Sequence, residues 1–211
     1  MPLQNRVSPF GELFADSSRG TLFGNRGGRF HHDDQTLGRR RWVSRTWICC
    51  VLAFKNRHRK VWGRGYTELF FLDEVTALAA GHRPCFECRR KDAVAFAEHW
   101  RQSRNLRAAP RAAEMDRVLH AERLDSRAKR RHRLGIDNLP DGAFVALADG
   151  IYAIRGNSLL QWTPSGYDGR KRRLRKAIVD VLTPPASLAV LEAGYRPMWH
   201  PTAEVSPASP P

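Results

Sequence analysis

The chain has 211 residues, 42% of them hydrophobic, enough for one compact domain or for two of roughly 100 residues each. Lys and Arg outnumber Asp and Glu by 36 to 21, a net charge of +15, which points to a polyanionic neighbour, nucleic acid ahead of an anionic membrane surface. No stretch approaches the roughly 20 apolar residues that span a bilayer, and the N-terminus lacks the basic-then-apolar order of a secretory signal. The expectation is therefore a cytoplasmic protein without a membrane partner, in which four cysteines do not form a disulfide framework.

Residues 1–20 are polar and punctuated by Gly and Ser, and read as a flexible N-terminus. "RTWICCVLAF" (45–54) reads as a buried strand, rich in β-branched and aromatic residues. "KNRHRK" (55–60) is a polar turn and "VWGRGYTELFFL" (61–72) a second strand, so 45–72 predicts a hairpin. "DEVTALAAG" (73–81) is a short helix with Asp73 as its cap and Gly81 just past its end. Residues 91–104 and 114–131 have helical periodicity. Beyond residue 138 the pattern is β. A hairpin over 143–154 turns at Asp149-Gly150, and strands follow over 157–167 and 176–182. A short helix over 184–194 and a Pro/Ser-rich tail, 204–211, expected to be disordered, complete the chain. "ALAAGHRPCFEC" (77–88) is echoed by "AVLEAGYRPMWH" (189–200), either a duplicated unit or a shared way of leaving a helix.

The stretch "AAGHRPCFECRR" (79–90) carries the sharpest chemistry. A Cys-x-x-Cys turn puts two thiolates on one side, which suits two corners of a zinc tetrahedron with sulfurs about 2.3 Å from the metal. Arg83 and the run Arg89, Arg90, Lys91 favour the thiolate form. A redox pair would follow a strand and open a helix; here a helix precedes the pair directly, which favours metal.

"FFLDEVTALAAGHRPCFECRR" resembles the C-terminal half of the Ada-type zinc-binding domain, over about residues 68–91, and "FGNRGGRFH" (23–31) is a weaker similarity to its first strand. The resemblance implies a small zinc-holding α+β module that approaches nucleic acid, with Cys85 and Cys88 as ligands. The family's Cys-x-x-x-Cys segment, which includes its methyl acceptor, is missing. Adjacent Cys49 and Cys50, with His31 and His32, stand in its place. Cys49 and Cys50 point to opposite faces of a strand, and both faces are apolar. The four-ligand set expected for Zn²⁺ is then Cys85, Cys88, His31 and one of the two, with Cys50 taken as the ligand.

Three basic runs offer phosphate contacts: 39–45, 127–133 and 170–176. The residues proposed to touch nucleic acid are Arg39, Arg40, Arg41, Trp42, Arg83, Arg89, Arg90, Arg130, Arg131, Arg172 and Arg173, with Trp42 placed to stack a base. His120, Glu122 and His132 are weak catalytic candidates, because i and i+2 do not share a helix face.

The fold expected is α+β: a small zinc-binding hairpin-and-helix module with its following helix (21–110), a basic helical connector (111–137) and a β-rich basic module (138–203). The function expected is zinc-containing nucleic-acid binding, DNA ahead of RNA, and non-enzymatic rather than enzymatic. A metal-dependent nuclease or DNA-repair enzyme is the alternative, and a protein-interaction or assembly factor the second.

Overall fold

The computed structural model describes residues 1–57 and 60–204. His58 and Arg59 of the expected 55–60 turn, and all of the expected tail except Glu204, lie outside the described residues. The architecture is α+β, as the sequence predicts. An N-terminal sheet is followed by helices and then by a second six-stranded sheet. No helix among the described residues is long and apolar enough to cross a membrane.

The first sheet contains β1 (Arg6–Val7), β2 (Leu13–Phe14), β3 (Leu22–Asn25), β4 (Ile48–Val51), β5 (Leu69–Phe71) and β6 (Arg83–Pro84), in the order β2-β1-β5-β3-β4-β6. Two expectations change here. Segment 45–72 is not a hairpin, because β3 lies between β4 and β5: Phe23 faces Cys50 on one side and Phe70 on the other. The first 20 residues are not loose, because Arg6 pairs with Phe70 and Val7 and Leu13 are buried against Leu22, Leu69 and Phe71. Two-residue strands carry too little alternation to stand out in a Gly/Ser-rich stretch.

Helix α1 (Glu74–Ala79) begins where Asp73 accepts from the Thr76 backbone N–H at 2.8 Å. It ends in a Schellman turn, with His82 N–H bonded to Ala77 O and Gly81 N–H to Leu78 O. Gly81 takes φ +83°, and a Cβ there would lie 2.6 Å from Arg123 Cδ, so glycine meets both the turn and the close approach. Helices α2 (Arg90–Ser103) and α3 (Ala112–Arg123) follow. The helix expected to run to residue 131 stops at Arg123, where a small hairpin, β7 (Leu124–Asp125) and β8 (Ala128–Lys129), turns the chain back.

The second sheet holds β9 (His132–Gly135), β10 (Phe144–Leu147), β11 (Gly150–Arg155), β12 (Ser158–Thr163), β13 (Gly166–Arg172) and β14 (Ile178–Val181), in the order β13-β12-β11-β10-β14-β9. The Asp149-Gly150 hairpin forms as read, with Leu147 opposite Gly150. Helix α4 (Pro185–Glu192) packs back on α2 and α3, where Val190, Leu191 and Tyr195 meet Phe96, Trp100, Met115 and Leu119. Of the expected connector, 111–137, α3 packs into this helical core and β9 joins the second sheet. The sequence echo is a shared helix exit: α4 ends in the same Schellman pair, Tyr195 N–H to Val190 O and Gly194 N–H to Leu191 O.

Two buried carboxylates join the halves. Asp73 accepts from the Tyr167 hydroxyl at 2.8 Å and the His200 N–H at 3.0 Å. Glu74 accepts from Arg89 at 2.7 Å, the Tyr195 hydroxyl at 2.6 Å and the Met198 N–H at 2.9 Å. Removing one partner of a buried, satisfied ion pair strands the other charge. Glu74→Ala is therefore expected to lower unfolding free energy by about 3–5 kcal/mol, read from urea denaturation; a loss below about 1 kcal/mol would show that this joint does not hold the halves together.

Candidate metal centre and basic surface

Cys50 comes from β4, whereas Cys85 and Cys88 come from the turn between β6 and α2. Their sulfurs all lie within 4.8 Å of one another; two sulfurs on one tetrahedral zinc sit about 3.8 Å apart. The backbone sets this meeting. Strand β6 runs parallel to β4, pairing Ile48 with Arg83 and Cys49 with Pro84, and the Cys85 N–H donates to Cys49 O at 3.0 Å. The turn is then held by Arg89 N–H to Cys85 O at 3.0 Å and by Glu87 N–H to the Cys85 sulfur at 3.4 Å. Hydrogen bonds from Cys50 and then Cys88 pull the Cys85 thiol well down, while donation to Cys85 raises Cys50. One thiolate is thus already favoured among three sulfurs, which is a donor set for a soft or borderline metal ion.

Cys49 faces the other way. It is fully buried in the first sheet's core and its sulfur accepts from Arg89 at 3.2 Å; burial pushes its thiol up to about 12. His31 does not join the sulfurs. Its ring stacks on Trp62 at 5.1 Å, with one nitrogen 2.8 Å from the Thr67 hydroxyl and the other 3.1 Å from Gly63 O. Among the described residues the cluster is Cys50, Cys85 and Cys88. It forms one wall of an open cavity of about 330 Å³, whose other lining includes Phe23, Phe54, Phe70, Arg57 and Glu68. Glu68 was not singled out in the sequence. It is buried, and one oxygen accepts the Trp62 N–H at 2.8 Å.

The basic candidates divide. Arg83 and Arg89 are buried and structural: Arg83 forms a two-pronged pair with Asp116 at 2.8 and 2.9 Å, and Arg89 pairs with Glu74. Arg173 is half-buried and donates to the Ile136 and Leu139 carbonyls. Arg39, Arg40, Arg90, Arg130, Arg131 and Arg172 are exposed. Two runs far apart in sequence meet in space. Arg41 and Trp42 of the first, and Arg127 and Arg131 of the second, line one depression of about 520 Å³ together with Phe10 and Phe14. Arg172 lies apart from it, beside Asp137 and Asn157.

The catalytic candidates are each engaged by neighbouring structure. His120 accepts from Arg123 at 2.8 Å, Glu122 accepts the Ala186 N–H at 2.7 Å, and His132 is bonded to the Glu122 carbonyl at 2.9 Å.

Comparison with known proteins returns no matching family model, no matching curated protein and no matching solved structure. The chemistry of the site therefore has to be read from its residues. Cys50→Ser, Cys85→Ser and Cys88→Ser are each expected to lower bound metal to less than about a third of wild type, whereas Cys49→Ser retains it, by elemental analysis of protein purified under reducing conditions. Equal loss in Cys49→Ser would place the fourth donor on the opposite face of β4.

Proposed function

We propose that this chain is a zinc-containing nucleic-acid-binding protein, with DNA preferred over RNA, in which Cys50, Cys85 and Cys88 hold the zinc. The meeting of a strand cysteine with a Cys-x-x-Cys turn supports zinc and is in keeping with the Ada-type resemblance, without methyl transfer. The observation that carries the nucleic-acid half is the convergence of the 39–45 and 127–133 runs around one aromatic-walled depression. Arginine forks suit phosphate, and Trp42 offers a face for a base. In this reading zinc is mainly structural, fixing β4 to the start of α2 and so holding the frame behind that surface.

The test is duplex binding across salt. Each phosphate neutralised contributes about −0.9 to the slope of log affinity against log salt, so Arg39→Ala/Arg40→Ala is expected to weaken binding and flatten the slope by about 2. A flat wild-type dependence overturns the proposal.

A second reading, an enzyme acting on nucleic acid, is favoured by the cavity beside the sulfurs. Three protein donors leave a fourth position, and a zinc ion so held supplies Lewis acidity and an activated water. Glu68, lining the same cavity, is the carboxylate placed to move a proton there. Cleavage or base release by zinc-loaded protein, lost in Glu68→Gln with zinc retained, would establish this reading; no turnover on single- or double-stranded DNA or RNA would exclude it.

A further inference from the structure

The depression between the two basic runs has an unusual floor. Arg26 and Arg123 are each only 1% exposed, and Lys129 is half-buried beside them. Both guanidinium groups lie over the Trp47 indole, 3.9 and 3.8 Å from its centroid. Their hydrogen bonds go to neutral acceptors. Arg26 donates to Gly11 O at 2.8 Å, to Arg41 O at 3.3 Å and to the His82 ring at 3.3 Å. Arg123 donates to Gly81 O and Arg45 O at 2.8 Å each, and to His120. Lys129 donates to Ala79 O. The Arg123 Nε–H is buried with no partner among the described residues.

Carboxylates are close without answering these charges. Asp116 is near enough for its charge to act on Arg123, but both its oxygens are taken by Arg83. Glu12 stands exposed on the rim. Burial first, and then the neighbouring cations, pulls both arginines down and Lys129 to about 7. Arginine does not surrender its proton readily, so the unfavourable charge stays in place until an anion offsets it. Buried charges persist when they are paired. Two arginines that keep their charge, and a lysine that an anion would hold in its protonated form, call for more than the single charge of a carboxylate. A phosphate monoester carries about two negative charges at neutral pH and three acceptor oxygens.

We infer that this depression is a binding site for a phosphate monoester group, held by Arg26, Arg123 and Lys129 at the floor with Arg41 and Trp42 at the rim. Its volume of about 520 Å³ lies in the range of small-molecule sites, roughly 300–1,000 Å³, so the ester can bring a sugar or a base with it. The terminal phosphate of a nucleic-acid strand and a free small phosphate ester share this chemistry. The inference stands independently of duplex binding, since a small ester needs only the pocket.

The experiment uses the full-length chain in phosphate-free buffer. Thermal unfolding and titration calorimetry are run with inorganic phosphate against sodium chloride of matched ionic strength, then with ribose 5-phosphate, and with 5′-phosphorylated against 5′-hydroxyl oligothymidylate. Phosphate is expected to raise the unfolding midpoint where chloride does not. Lys129→Met is expected to lose affinity at least about tenfold, as loss of a charge-assisted contact implies, while its phosphate-free midpoint stays at or above wild type, because an amine whose charge burial and Arg123 and Arg26 disfavour is gone. A merely structural lysine would show the reverse: a lowered midpoint and an unchanged response to phosphate. Arg41→Ala, at the rim, provides the second variant and is expected to weaken phosphate binding with the midpoint unchanged. Tighter binding of the 5′-phosphorylated oligonucleotide would identify a strand end as the source; binding of ribose 5-phosphate with no gain from end phosphorylation would identify a free ester. No phosphate-specific shift in wild type, or a full response in Lys129→Met, overturns the inference.

Discussion

The buried pair between Glu74 and Arg89 is the contact on which the rest of the structure depends. Arg89 is the residue after Cys88, and its guanidinium also reaches the sulfur of Cys49, the residue before Cys50. A single side chain therefore fixes both backbone segments that bring the three sulfurs together. Glu74 in turn is satisfied by Tyr195 and the Met198 N–H from the C-terminal segment. An ion pair this deep is tolerable only when its remaining hydrogen-bonding capacity is met. That is why a segment more than 120 residues away closes over the first turn of α1. The two halves of the chain are held together by the same network that sets the cysteine geometry.

What was legible in the sequence is what local rules decide. The cap at Asp73, the exit at Gly81, the Asp149-Gly150 hairpin and the Cys-x-x-Cys turn each follow from a few adjacent residues. The choice between Cys49 and Cys50 does not. Both faces of that strand are apolar, and Arg89, which claims Cys49, lies forty residues away. The failed 45–72 hairpin has the same origin: β3 enters between β4 and β5 from earlier in the chain, and sequence adjacency gives no sign of it. His31 looked like a ligand by residue type, yet Trp62, Thr67 and Gly63 occupy its faces and nitrogens.

Charge was legible in amount and not in place. Of the arginines flanking the cysteine turn, Arg83 and Arg89 read as surface cations because their acids, Asp116 and Glu74, lie on other elements. Nothing beside Arg26 in the sequence marks it as buried, and Arg123 and Lys129 lie in a stretch that reads as the exposed face and end of a long helix. Stopping α3 at Arg123 and folding β7 and β8 back is what carries both residues inward. The fold thus treats buried cations in two ways. Those near the sulfurs have carboxylate partners and act as fixed struts. Those near Trp47 have carbonyls and an imidazole, which orient a guanidinium without cancelling its charge.

The two regions share one piece of chain. Alternation along an extended segment puts Trp47 and Cys49 on one side and Cys50 on the other. Trp47 lines the cationic depression and Cys50 lines the cavity beside the sulfurs. The cavity wall and the floor of the depression are therefore built on one stretch of backbone, whose register is pinned by β3 on one flank and β6 on the other. One side of that stretch packs an aromatic ring against buried cations and the other presents a sulfur, so alternation along a single strand is enough to build two chemically different surfaces.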